Sequence, residues 1–510
     1  MSNRFALSNQ EYSGGRVFIL FLLFFLAIYQ FYLAGFNAFA IVCILPLLVP
    51  LVYVAFTWQM LIFWALFFIN YFVQWFSKNH WLPGGIPMSM YNELFELLLI
   101  GIAIVDARKS PHFERTLNLM LLAVGSWCVF CTLEVLNDTC DLGINVGNWY
   151  TGARMMAFQI LYGFIVYILY ITNPKRLTTY IRIWAIASLF TVFWTWRQIN
   201  IGFTPMENAW MQSVGRITHI LNGGTLIRYF STHNDAATYG VNAAATAVFF
   251  IVTGITTRLN RDRIFFLITA ALIIWGMFQT GTRTAIFCLA VGFFVFLVLS
   301  KSLNIIVPSA IVGGLFLGML VFTDIGNGNQ QIRRMRSAFD KSDASANVRT
   351  INQQAIKKYI KDAPWGIGIG SDSQNVPANN KYKKLSMIPP DSEYVFIWVH
   401  TGPIGITVFL VTTAIMFIGA CTVVFFRLKN RSLMGIGAGF CGAFAAAQLG
   451  GYGNQVLMQF PNCLLFYGGL ALVYVLPYIE PEWIEIENKR VSEIEERKRL
   501  RLEKKQASRV

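Results

Sequence analysis

Charge is scarce in this chain of 510 residues: only 13% are Asp, Glu, Lys or Arg, against roughly 25% in an ordinary soluble domain. Histidine is scarcer still, with five at positions 80, 112, 219, 233 and 400, no two of them at metal-ligand spacing. No HExxH helix and no DxD-type sugar-nucleotide signature occurs, and WGIGIG at 365–370 lacks both a preceding strand and a GK[ST] ending. Zincin, P-loop and dinucleotide chemistry are therefore not indicated, and no metal or cofactor is expected. The eight cysteines fall mostly inside apolar runs; Cys128 and Cys131 have CxxC spacing but no second Cys/His pair, so they read as buried packing residues. No A-x-A-like cleavage site follows the first apolar run, which reads as a retained signal anchor.

What fills the chain is hydrophobic: 55% of its residues are apolar and 15% aromatic. They are gathered in runs of about 17–25 residues, the length that crosses a ~30 Å hydrocarbon layer as a helix. About fourteen such spans can be laid out between residues 17 and 478, which makes this an all-α polytopic membrane protein. Residues 1–322 hold spans 1–11, 323–390 a large loop, 391–478 spans 12–14 and 479–510 a charged tail.

The net charge of +15 does not point to nucleic acid, because of where it lies. With the N-terminus inside, alternate loops carry Arg108, Lys109 and Arg115; Lys175 and Arg176; Arg258, Arg261 and Arg263; Lys301; and Arg427, Lys429 and Arg431. That is the enrichment cytoplasmic loops show, and it puts both termini in the cytoplasm. The tail from Ile484 onward mixes Lys, Arg and Glu at i,i+4 spacing and reads as a solvated helix.

Three polar features then share the opposite, outward face: Arg283 in a turn between two spans, the segment 198–234, and the loop 323–390. An arginine at mid-membrane costs roughly 2.5–3.5 kcal/mol, so Arg283 either snorkels at the interface or has an anionic partner. In the long loop, Asn347 to Ile360 has helical spacing of Val348, Ile351, Ile356 and Ile360, and Pro364 ends it. Its many basic residues read mostly as a solvated face. Asp391, Ser392 and Glu393 open the next span, where capping explains Asp391 as well as chemistry does. Glu93 and Glu96, near the outer end of the fourth span, either cap helices or pair with outer arginines.

Taken in order, these landmarks resemble the O-antigen ligase/polymerase family of bacterial membrane glycosyltransferases. The family's T-G-S/T-R-x-A turn is similar to TGTRTA at 280–285. Its loop arginine and P-x-G-x-G stretch resemble Arg349 and PWGIGIG at 364–370. Its closing motif resembles DSEY at 391–394 followed by HTGPIG at 400–405, and Thr232, His233 and Asn234 are loosely similar to an upstream N-x-N element. The similarity spans about residues 225–410. It implies a glycosyltransferase C-like helical membrane fold with a partly helical periplasmic loop, in an inner membrane, and a periplasmic active site. It further implies transfer of a glycan from undecaprenyl diphosphate to a hydroxyl acceptor, with inversion and without a metal. In that reading Arg283, Arg349 and Asp391 are catalytic, while Arg228, His233, Asn234, Glu393 and Tyr394 bind the diphosphate or glycan. The partners implied are the lipid-linked donor, a glycan or lipid acceptor, membrane lipids and polysaccharide-assembly proteins. Aspartate stands at 391 where the family's ligases carry a histidine, which favours a polymerase of lipid-linked repeat units over a ligase to lipid A core or protein. A lipid-linked oligosaccharide flippase is the rival from another class; it would place charges within spans and show internal repeats, and the chain shows no clear repeat.

Overall fold

The computed structural model describes residues 53–82, 87–106, 112–221, 226–301, 303–325, 328, 330–336 and 344–507, with parts of 18–29. The chain divides into two units, Met1–Trp64 and Ala65–Val510. In the first, the described residues within 18–29 and 53–57 are helical, as is the start of α1 (Gln59–Lys78). The expected spans at 17–35 and 37–56 lie largely outside the described residues.

In the second unit the remaining helices are α2 (Met88–Val105), α3 (Leu119–Leu133), α4 (Val146–Tyr170), α5 (Pro174–Asn200), α6 (Pro205–Ser213) and α7 (Ala236–Thr256). They continue with α8 (Asn260–Gln279), α9 (Thr284–Leu299), α10 (Leu303–Phe322), α11 (Gln330–Arg336) and α12 (Ala344–Ile360). The last three are α13 (Glu393–Thr422), α14 (Arg431–Gly453) and α15 (Asn462–Ala507). Ten helices among the described residues are long and apolar enough to cross a membrane, and α9 is a shorter apolar one. The chain is an all-α, multi-pass integral membrane protein. The two short strands Ile220–Leu221 and Leu226–Ile227 pair antiparallel, Ile220 opposite Ile227.

Local chemistry sets the helix starts around the site. Asp235 caps α7 by accepting from the backbone N–H of Ala237 and Thr238 at 2.7 and 2.8 Å, and Ser392 caps α13 by accepting from Val395 N at 3.1 Å. Thr204 and Glu207 form a capping box that starts α6. The core is closest where α7 packs against α8, α9 and α14: Gly292 on α9 and Gly442 on α14 face each other so tightly that a methyl on Gly292 would come 2.8 Å from Gly442 O. Small residues let membrane helices approach in this way.

Residues 344–390 of the long loop fold against α13. Ile356, Ile360, Ile367, Val376 and Leu385 are buried together with Val395 and Val399 of α13. Helix α12 stops at Ile360, ahead of Pro364, and the glycines that follow make the docking. Gly366 has φ +75°, and a side chain there would strike Gly402 N and His400 O at 2.5 Å. Ile367 N and Gly368 N donate to Val399 O and His400 O, both at 3.0 Å. The acceptors are open because α13 breaks at Gly402 (φ 66°, ψ −172°), just before Pro403. Helix α15 continues from the last span into the charged tail, running through Pro477 and Pro481 to Ala507.

Candidate functional site

The turn 280–283 between α8 and α9 rests on α7. Thr282 Oγ1 donates to Ala236 O at 2.8 Å, and Thr280 Oγ1 accepts from Thr282 N at 3.1 Å. Gly240 of α7 lies directly beneath, where a Cβ would fall 2.6 Å from Thr282 Cβ. This packing fixes Arg283 at the head of α9, half-buried, on the wall of an open cleft of about 1280 Å³.

Other segments bring their own cations to the same cleft. Arg228, Arg334 and Arg349 line it with Arg283, alongside Asn234, Asp235 and Asp391. Arg349 Nη2 donates to Gly453 O at the end of α14 at 2.7 Å, and Arg334 Nε to Gly281 O at 3.0 Å. Desolvation lowers the pKa of Arg283, and the neighbouring Arg349 charge lowers it further. Arg334 falls to about 10, from burial first and then from Arg228 and Arg283. The guanidinium groups thus act on one another as like charges in a partly dehydrated space.

Arg228 spends three donors on the protein: Nε on Thr280 O at 3.0 Å, Nη1 on Thr218 O at 3.0 Å and Nη2 on Thr282 Oγ1 at 3.2 Å. It braces the turn that carries Arg283. The segment 228–235 is itself held by Lys78, whose ammonium donates to His233 O at 2.9 Å and to Asn234 O, and lies 3.6 Å over the Trp210 ring. Asn234 Nδ2 donates to Gln459 Oε1 at 3.1 Å and still borders the cleft. Asp391 accepts from Asn352 Nδ2 of α12 at 2.8 Å through Oδ2.

Three of the expected residues face elsewhere. His233 is fully buried and stacks 5.0 Å from the Tyr239 ring; burial drives its pKa down to about 3, so it is neutral. Glu393 is buried in the first turn of α13 and accepts from Leu457 N at 2.8 Å. The Tyr394 hydroxyl lies 2.9 Å from Gln448 O, between α13 and α14. None of the three lines the cleft. His400 is turned inward as well, its ring nitrogens lying 2.8 Å from Phe396 O and 3.1 Å from Ser371 O.

Sequence reasoning passed over Arg334, Asn352, Tyr452 and Gly453. Arg334 sits in the basic run QQIRRMR and has no distinguishing mark there. Tyr452 and Gly453 end the glycine-rich GGYGN at 450–454, which the resemblance did not reach; small residues closing an apolar run before an asparagine were the available signal.

The resemblance can be set against known proteins. Residues 268–410 match the family model described as O-antigen ligase. Over that stretch the chain is similar to the O-antigen ligase family. The matched segment contains the 280–283 turn, the long loop with Arg334 and Arg349, and Asp391, hence most of the cleft's charged wall. Arg228, Asn234 and Tyr452 come from outside it. A search of curated proteins finds no match.

Proposed function

We propose that this protein polymerises lipid-linked oligosaccharide repeat units at the periplasmic face of the inner membrane, passing a glycan from undecaprenyl diphosphate to a sugar hydroxyl. The observation that carries the proposal is the meeting of four arginines from separate segments with two half-buried carboxylates in a single cleft: Asp235, which caps α7, and Asp391. The wall continues from Arg283 along α9 through Phe287, Ala290 and Val291, an apolar strip beside which a polyprenyl chain fits.

The chemistry follows from the charges. As the acceptor oxygen attacks the anomeric carbon, Asp391 takes the hydroxyl proton. The anomeric C–O bond breaks with its electron pair on the diphosphate, and attack opposite that group inverts the configuration. Planar guanidinium forks match phosphate oxygens, and donors fixed in advance stabilise charge that develops in the transition state. Arg283 and Arg349 fill that role, with Arg334 as a further contact. The Asn352 hydrogen bond keeps Asp391 oriented.

The test is transfer in vitro. Purified protein receives undecaprenyl-diphosphate-linked repeat units, with and without EDTA, beside Arg283→Ala and Asp391→Asn. The expected result is a lengthening lipid-linked ladder that survives EDTA and falls about 10²–10³-fold in either variant. Consumption of donor only on adding lipid A core or protein makes the protein a ligase instead. Transport of intact donor across liposomes without any transfer overturns the enzyme reading.

A further inference from the structure

Away from the cleft, α2 and α4 enclose a polar cluster within the membrane-spanning part of the chain. Glu96 lies one turn beyond Asn92 and Glu93 on α2, at i+4 and i+3 from them. Asn92 and Glu96 are fully buried, Glu93 is 5% exposed, and Gln159 of α4, also fully buried, sits beside Glu93. Arg154, 5% exposed, approaches Glu93 Oε2 at 3.8 Å. Gly163 lets α4 close over Glu96: a Cβ there would lie 3.9 Å from Glu96 Oε1 and 2.7 Å from Leu464 Cδ2.

The charges of this group do not balance. If both carboxylates are ionised they outnumber the one guanidinium, and an apolar interior drives such a surplus to be neutralised, by a proton or by a cation. Polar satisfaction fails at the same place. Both carboxylate oxygens of Glu96 and the amide oxygen of Asn92 have no hydrogen-bond partner among the described residues. With Glu93 Oε1 and the Gln159 amide oxygen, also without partner among the described residues, the cluster offers five buried oxygens, the ligands a hard cation takes. A surplus of one charge fits a monovalent ion.

We propose that the α2–α4 interface binds one sodium ion on Glu96 and Asn92, with Gln159 and the Glu93–Arg154 pair closing the site. The ion balances the charge and ties the two helices together. The site is independent of the transfer reaction.

Binding to the folded state alone raises stability in proportion to ligand occupancy. The experiment is thermal unfolding of the detergent-solubilised full chain across a sodium chloride series, at ionic strength held constant with choline chloride. The unfolding temperature should climb with sodium and saturate, with potassium chloride giving a smaller rise. Glu96→Gln should unfold at one temperature throughout the series, whereas Glu134→Gln, a buried acid outside the cluster, should keep the wild-type response. If Glu96→Gln does not fold, Asn92→Ala takes its place and should move the half-saturating sodium concentration up by about tenfold or more. A flat wild-type response overturns the proposal, as does a sodium response retained in Glu96→Gln or unmoved in Asn92→Ala. An equal response to potassium overturns the choice of sodium.

Discussion

Arg228→Lys separates a residue that holds substrate from one that holds the site. In the structure the guanidinium reaches three acceptors on two segments: Thr280 O and Thr282 Oγ1 in the turn, and Thr218 O on the other side. A lysine ammonium at the same place reaches one of them. Hydrogen bonds from a charged donor are worth about 1.5–3 kcal/mol each. Because the Thr218 contact is exposed, the lower figure applies, and two lost bonds give a loss of about 3 kcal/mol. Thermal unfolding of the solubilised protein reads the stability. The transfer assay reads the rest: a brace shifts Arg283 out of register, so kcat falls while KM for the lipid-linked donor changes little. A variant with wild-type stability and a raised KM would refute this reasoning and return Arg228 to the substrate.

Two further outcomes follow from the same packing. Burial, then the Arg228 charge, press the His219 pKa down to about 4 from an ordinary value near 6.5, and its Nε2 accepts from Ala236 N at 3.0 Å. The neutral folded form contributes stability in full above pH 6.5. Between pH 6.5 and 4 the unfolded chain binds the extra proton, so stability should fall by up to about 1.4 kcal/mol per pH unit, and His219→Gln should flatten that slope in a thermal-unfolding series. Gly366→Ala combines a positive φ with a 2.5 Å clash against His400 O and Gly402 N; a cost of about 2–5 kcal/mol is expected, seen as earlier proteolytic cutting within 323–390 and a lower unfolding temperature.

Apolar runs and helix stops were readable in the chain because each depends on neighbours within a few residues. Pro364 ending the loop helix is the same kind of signal, and α12 stops at Ile360. The cleft was readable only in part. Arg283, Arg349 and Asp391 stand in motifs and do line it, along with Arg228 and Asn234. His233, one residue from Asn234, does not, because the segment bends so that Lys78 gathers its carbonyls and the imidazole drops against Tyr239. Which way a loop side chain turns is decided by tertiary contacts, and sequence spacing holds no record of them. The same applies to Arg334, which is distinguished from Arg333 and Arg336 by its contact with Gly281 O and its place on the cleft wall.

The arginines around the cleft share a second property that bears on the proposed donor. Arg228, Arg334 and Arg349 each donate to backbone carbonyls, at Thr280 and Thr218, Gly281 and Gly453, and Asp235 lies near Arg228. A carbonyl fixes a guanidinium without cancelling its charge, whereas a carboxylate would do both. The segments therefore hold like charges near one another at a net electrostatic cost, and a dianionic group entering between them relieves it. On the proposed reading, that cost favours a diphosphate over a neutral glycan. The gain is largest when negative charge grows on the leaving group, which is where a transferase needs it.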